Sequence, residues 1–270
     1  MRGFKSWHSY GDFERSIKRT ARFIHGNDIQ SFLRAVLATS GKRTETVGPK
    51  GFLWRAQLGH ALEPYYQGED YVDDMPAPLS PDRMIPVRDR AAEGRANPKG
   101  IPYLYLATKR DTALAEVRPW IGSLITVGQF RIKQRLKLIN CTIGDPKEWL
   151  SLGTELPQKK REETAWAQID KAFARPVTPS DDSADYVPTQ VLAELFRANG
   201  FDGIGYRSSL GSGHNIVLFD IEAVELTTRL LFELQSMKFE FREASTPYFM
   251  QRQPRPKAAN HSPRRTCARK

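Results

Sequence analysis

Short apolar runs bounded by glycine, proline and polar clusters alternate with stretches of helical period along this chain, so one architecture has to bury both kinds of element. Residues 101–107, 124–132, 136–142, 203–206 and 215–219 carry the apolar runs, and 52–56 adds a shorter one. Their shortness and their β-branched and aromatic content predict strands. A helix opens at Thr108 or Asp111 and stops at Pro119, a polar helix spans 160–174, and another begins near Pro188 and ends at Asn199-Gly200. There glycine supplies the stop. Ahead of these, residues 10–40 read as two helices: Phe13, Ile17, Ala21 and Phe23-Ile24 recur at near-helical spacing, Gly26-Asn27-Asp28 offers a stop and a new cap, and Ile29, Phe32-Leu33 and Val36-Leu37 form a second stripe. Residues 223–242 add further strands. No internal repeat interrupts the order.

One segment breaks the alternation. Residues 59–98 hold Glu63, Glu69, Asp70, Asp73 and Asp74 together with prolines 64, 76, 78, 81 and 86, and they predict a long irregular loop. Such loops inside a compact domain often serve as lids or binding loops.

Composition narrows the class. Hydrophobic residues make up 40% and charged residues 27% of the 270 positions, a globular balance with enough apolar material for a core. No stretch approaches the roughly 18 apolar residues that span a bilayer, and the first residues lack the apolar region of a signal peptide. Two cysteines, Cys141 and Cys267, do not make a disulfide framework, so a reduced cytoplasm is the simplest setting. Seven of the net +10 charges fall in residues 251–270, which hold no acid, leaving +3 for the first 250. A nucleic-acid-binding module would therefore have to work through that basic tail, which otherwise reads as disordered. The histidines (8, 25, 60, 214 and 261) are scattered without ligand spacing, so no metal site is expected. Cys141 reads as core filler, since no base neighbours it.

Charges in apolar surroundings mark the chemistry. Arg55 lies in Phe-Leu-Trp-Arg-Ala and Glu116 in Thr-Ala-Leu-Ala-Glu-Val-Arg-Pro. Buried ions are costly unless paired or used, and these two alone fit a structural ion pair as well as a functional one. The segment 94–107 sets Arg95 in a Gly/Pro turn and then delivers Tyr103 and Tyr105 to one strand face. Simple packing of the tyrosines is the alternative. The Ser/Gly-rich turn from Tyr206 to Asn215 exposes backbone N–H groups suited to a phosphate, although it is neither a Walker loop nor a Rossmann fingerprint.

Together these blocks resemble the RES family, named for its Arg, Glu and Ser. The resemblance covers Trp54-Arg55-Ala56, the Gly-Arg-x-Asn-Pro run at 94–107, Thr-Ala-x-x-Glu-Val-Arg-Pro at 112–119, Tyr186-Val-Pro-Thr-Gln190, and Phe201-Asp-Gly-Ile through Phe219. It implies an α/β (α+β) fold related to ADP-ribosyltransferases and NAD⁺ as substrate. The domain would span 48–243, after a helical extension at 1–47 and before a basic tail at 244–270. The family's functional residues fall on Arg55, Arg95, Tyr105 and Glu116, and its serine on Ser208 or Ser209, with the Tyr-x-Ser spacing favouring Ser208. Asn215 joins the substrate-binding set. The implied activity is cleavage of the nicotinamide–ribose bond by the toxin of a toxin–antitoxin pair, as glycohydrolase or phosphorylase. ADP-ribosyl transfer to a host protein is the alternative. An Xre-type DNA-binding antitoxin would occlude the cleft and provide the only link to nucleic acid, and an oligomer stays open. The segment at 59–93, the N-terminal helices and the tail depart from the simplest members.

Overall fold

The computed structural model describes residues 3–87, 90–144, 154–175, 183–238 and 240–241. Helices form where the apolar stripes predict them, and each buries its stripe. α1 (Ser9–Arg19) buries Tyr10, Phe13 and Ile17, and α2 (Asn27–Ser40), opened by the extended Gly26, buries Ile29, Phe32, Ala35 and Val36. Phe13 and Phe32 stack with ring centroids 4.5 Å apart and fasten the two helices together. α4 (Gln158–Ala174), although polar in composition, turns Trp166, Ile169 and Phe173 inward, and α5 (Val187–Ala198) does the same with Leu192, Ala193 and Phe196. All four helices share one hydrophobic core with Ile204, Tyr206 and Val217 of the sheet. Inside it the Trp166 indole donates to Thr39 Oγ1 at 3.0 Å, tying α4 to α2. The N-terminal helices are thus part of the core.

The sheet is assembled from β1 (Thr44–Val47), β2 (Phe52–Leu58), β5 (Leu104–Ala107), β6 (Leu124–Ile132), β7 (Leu136–Asn140), β8 (Gly203–Arg207), β9 (His214–Leu218) and β10 (Val224–Glu233), in the order β1-β7-β8-β9-β5-β2-β6-β10. Every neighbouring pair is antiparallel except β7 and β8. Its second face packs Leu53, Leu104, Phe130, Leu138 and Leu218 over Met84 and the short turn Pro81–Met84. This is the expected mixed α/β architecture. β1 had no counterpart among the strands expected from the sequence.

The expected irregular loop is corrected in its first half. Residues 61–77 form a hairpin of β3 (Ala61–Gln67) and β4 (Asp70–Ala77), a separate two-stranded sheet. Gly68, at φ 72°, takes the positive-φ position of its turn. Prolines 64 and 76 fit because a two-stranded ribbon leaves half of its N–H groups unpaired at the edges. From Ser80 to Tyr103 the described backbone is irregular apart from the Pro81–Met84 turn.

The compact unit ends at Ser236. The basic tail and its expected disorder, with Cys267 and His261, lie outside the described residues. Among the described residues no helix is long and apolar enough to cross a membrane.

Because Phe13 is buried and stacked in the shared core, Phe13→Ala should lower unfolding free energy by about 3–5 kcal/mol in a denaturant titration. If the N-terminal helices were a mere appendage, the main transition would not move.

Candidate active site

The sheet nearly parts between β2 and β5. β2 pairs with β6 along its whole length and β5 pairs with β9 residue by residue, but β2 and β5 share only the pair Trp54↔Ala107. α3 (Arg110–Glu116) leaves β5 and packs over that parting, with Ala113 against Ala56 and Ala107. A cavity of about 190 Å³ opens there, lined by Trp54, Arg55, Tyr105, Glu116, Tyr206 and Asn215 among others. A second hollow, about 260 Å³, shares Glu116, Tyr206 and Asn215 with it and adds Arg95, Arg118, Arg175 and Ser209. Glu116 stands where the two meet.

The Glu116 carboxylate is held through one oxygen. Ser208 Oγ donates to Oε1 at 2.6 Å and Asn215 Nδ2 donates to the same atom at 2.7 Å. Oε2 has no hydrogen bond among the described residues. Ser208 is itself oriented, since its Oγ accepts from the N–H groups of Leu210 and Gly211 at 3.1 and 3.0 Å. With both acceptor positions used, its proton is directed at Glu116. The turn carrying Ser208 sits tightly on α3. Gly213 N–H donates to Thr112 Oγ1 at 3.0 Å, and a Cβ on Gly213 would fall 2.5 Å from that oxygen. Asn215, on β9, lies directly between Tyr206 and Ala107 of the flanking strands.

Arg55 brings one unsatisfied nitrogen to the cavity. Its Nη1 is buried and makes no hydrogen bond among the described residues. Loss of hydration pushes the guanidinium below its ordinary pKa, opposed only by the nearby Tyr105 hydroxyl. A buried unpaired charge costs several kcal/mol in general, so this nitrogen is suited to an anionic or carbonyl oxygen arriving in the cavity.

Arg95 is placed by a pinned turn. Its Nη1 donates to the Ala172 carbonyl of α4 at 3.1 Å, and its guanidinium lies 5.8 Å from the Tyr186 ring centre. Thr189 Oγ1 donates to the Arg95 carbonyl at 2.5 Å, and Gln190 Nε2 donates to the carbonyls of Gly94 and Asn97 at 3.0 and 3.1 Å. The Tyr-Val-Pro-Thr-Gln block thus clamps the Arg95 turn. Tyr105 does so from below: its hydroxyl donates to Asn97 Oδ1 at 2.7 Å and accepts from Ala96 N–H at 3.0 Å. Burial pushes that phenol well above its ordinary pKa. Only the Tyr105 ring is left to face the cavity. Tyr103 is buried core, packed on Phe219.

Three lining residues lacked a sequence signal of their own. Arg118 follows Glu116 in the Val-Arg-Pro run and has φ 47°, a strained conformation for a residue with a side chain. Arg175 ends α4, where only the fold brings it to the cleft. Tyr206, which read as a spacing marker for the serine, walls both hollows and packs on Phe173 with centroids 5.7 Å apart. Cys141 is buried and its thiol is pushed up by burial, as suits core filler. Among the described residues no group of histidines, cysteines and carboxylates could hold a metal.

Tyr105→Phe removes a hydroxyl that satisfies two groups of the Arg95 turn. It should cost about 1–3 kcal/mol of stability, read as a lower denaturation midpoint. A hydroxyl serving only a ligand would leave the midpoint unchanged.

The sequence profile of the RES domain matches residues 68–238, more than half of the chain. The match takes in Arg95, Tyr105, Glu116, Ser208, Ser209 and Asn215, whereas Arg55 precedes it. Among solved structures, the crystal structure of the M. tuberculosis MbcT–MbcA toxin–antitoxin complex is similar over 72% of this chain and 93% of its own, with 13% sequence identity and a TM-score of 0.40. No curated protein matches. The chain belongs to the RES domain family.

Proposed function

We propose that this RES domain degrades NAD⁺ by cleaving the nicotinamide–ribose bond, as the toxin of a toxin–antitoxin pair. The observation that carries the reading is the setting of Glu116: a carboxylate fixed by Ser208 and Asn215, with the unpartnered Arg55 nitrogen on one side and a hollow lined by Arg95, Arg118 and Arg175 on the other. That arrangement suits a substrate with a pyrophosphate and a ribose that becomes cationic.

In the reaction the C–N bond between ribose and nicotinamide breaks heterolytically. Its electron pair goes to the ring nitrogen, so a cationic ring leaves as neutral nicotinamide without needing an acid. Positive charge passes to the ribose, as in glycoside hydrolysis, and a fixed carboxylate stabilises it most as it develops. Glu116 fills that role. Ser208 and Asn215 hold Oε1 and keep Oε2 available. Arg55 and Arg95, helped by Arg118 and Arg175, bind phosphate oxygens, which guanidinium forks match. The Tyr105 ring stacks on the nicotinamide ribose. Water attacking the ribose carbon and losing its proton gives ADP-ribose. Inorganic phosphate in its place gives the phosphorylated product, and a protein side chain gives ADP-ribosyl transfer. A host would need to restrain such an activity, and an antitoxin covering the cleft, of the Xre type that the resemblance implies, provides that restraint in the cytoplasm.

Incubating the protein with NAD⁺ and following nicotinamide, ADP-ribose, its phosphorylated form and labelled protein tests the reading and sorts the acceptors. Glu116→Gln should lower kcat by about a hundredfold or more while leaving KM nearly unchanged. Normal turnover in that variant rejects the assignment. Arg55→Met should act in two directions: KM for NAD⁺ rises, while the unliganded protein becomes more stable by about 1 kcal/mol or more. A destabilised Arg55→Met protein would mean that the guanidinium is a structural tie.

A further inference from the structure

The hairpin of β3 and β4 carries more than a connection needs. Its strands pair only with each other, and every residue from Leu62 to Pro76 is exposed. The register puts Leu62 opposite Pro76, Pro64 opposite Asp74 and Tyr66 opposite Tyr71. Alternation puts Leu62, Pro64 and Tyr66 on one face of β3, and their partners join them there, Tyr71 by way of the register shift that leaves Val72 as an extra residue on β4. Leu62, Tyr66 and Tyr71 there are 59%, 53% and 56% exposed, and the two tyrosine rings meet edge to face at 6.0 Å. No described element covers them.

The root of the hairpin is fixed. Thr126 Oγ1 donates to the Gly59 carbonyl at 2.9 Å and accepts from Leu79 N–H at 3.0 Å, so both ends of the ribbon are tied to β6. An isolated two-stranded hairpin is marginal in water; anchoring holds this one as a preformed platform. Contiguous exposed apolar surface of this kind, framed by polar residues, marks an interaction site.

Charge says what kind of partner fits. Residues 61–77 contain Glu63, Glu69, Asp70, Asp73 and Asp74 and no lysine or arginine, in a chain of net charge +10. We propose that this face docks a basic segment of a protein partner. Its leucine or valine side chains pack on Leu62, Tyr66 and Tyr71, and its arginines or lysines reach Asp74 on that face and the Glu69-Asp70 tip, within the field of Asp73 on the reverse side. Tyrosine faces bordered by carboxylates suit guanidinium groups through both cation–π and ionic attraction. The negative field repels nucleic acid and opposes pairing with the same hairpin of a second copy. Prolines 64 and 76 remove N–H donors from the strands, so the partner lies on the face instead of adding a strand. The docking does not depend on the chemistry assigned to Glu116.

The test uses the full chain and a labelled synthetic amphipathic peptide with arginine on one side and leucine on the other, read by fluorescence anisotropy at physiological salt. Binding should weaken by about tenfold or more in both Asp73→Lys/Asp74→Lys and Tyr66→Ser/Tyr71→Ser. All four positions are exposed, so the melting temperature should hold in each variant. The same peptide with serine replacing leucine should bind much less. Unchanged affinity in either double variant overturns the proposal, and so does equal binding of the serine peptide, which would reduce it to bulk charge attraction. Concentration-dependent dimerisation of the free protein, abolished by Asp73→Lys/Asp74→Lys in sedimentation, would make the occupant a second copy and overturn it as well.

Discussion

The near-parting of the sheet at Trp54↔Ala107 is the constraint on which the site depends. Strands paired along their length satisfy each other's backbone and bring side chains close on both faces, which leaves no room for a ligand. Where β2 and β5 separate, side chains on both sides of the break lose that company and line a space. α3 crosses the break and brings Glu116 to it. The helical core on one face and the leucine-rich core on the other hold the two parts of the sheet in place around the opening. Apolar burial far from the site thus offsets what the site costs.

Within the opening, polar groups divide into those satisfied by the protein and those kept for something else. Ser208, Asn215, Asn97 and the Tyr105 hydroxyl are all engaged. Their partners are other site residues or the turns that carry them, and this interlocking fixes positions closely. Among the described residues Arg55 Nη1 and Glu116 Oε2 stand apart, one without a hydrogen-bond partner and the other bypassed by both donors that reach its carboxylate. Positioning and binding are therefore assigned to different atoms. Ser208, expected from the resemblance as a site residue, acts here through Glu116, and the Ser/Gly turn that resembled a phosphate cradle spends the N–H groups of Leu210, Gly211 and Gly213 on Ser208 and Thr112.

Much of this was legible in the sequence, for identifiable reasons. α1 and α2 announced themselves by apolar stripes, α5 by its proline start and glycine stop, and β6, β8 and β9 by short apolar-rich runs, because each buries a stripe or most of its length. The hairpin was illegible because it buries almost nothing: without a core face there is no alternation to read, and prolines and acids imitate a loop. Tyr65 to Val72 around Gly68 held the one usable hint, aromatic and β-branched residues flanking a glycine turn. β1 was too short and too exposed to show a pattern. Arg118 and Arg175 come together only through the meeting of α3's end with α4's end, a tertiary fact that no local spacing encodes. The Tyr105 hydroxyl was legible as polar, but its partner eight residues earlier was not.

Gathering Arg55, Arg95, Arg118 and Arg175 about two joined hollows has a consequence for folding as well as for binding. Desolvation of the Arg55 guanidinium raises the free energy of the empty protein. An anion that enters the cleft removes the penalty, and that relief is contained in Kd, so the ligand stabilises the fold by RT ln(1 + [L]/Kd). Stability and function then pull against each other at these positions, which is the usual condition of a preorganised charged site. The strained backbone at Arg118 fits the same account. Its conformation is tolerated next to Pro119 because the following turn is closed on both sides, by Gly122 N–H to the Leu234 carbonyl at 2.8 Å and Leu234 N–H to the Ser123 carbonyl at 3.1 Å. The rigidity that keeps an arginine at the rim of the cleft is supplied by β10 and the residues just after it, at the far edge of the sheet.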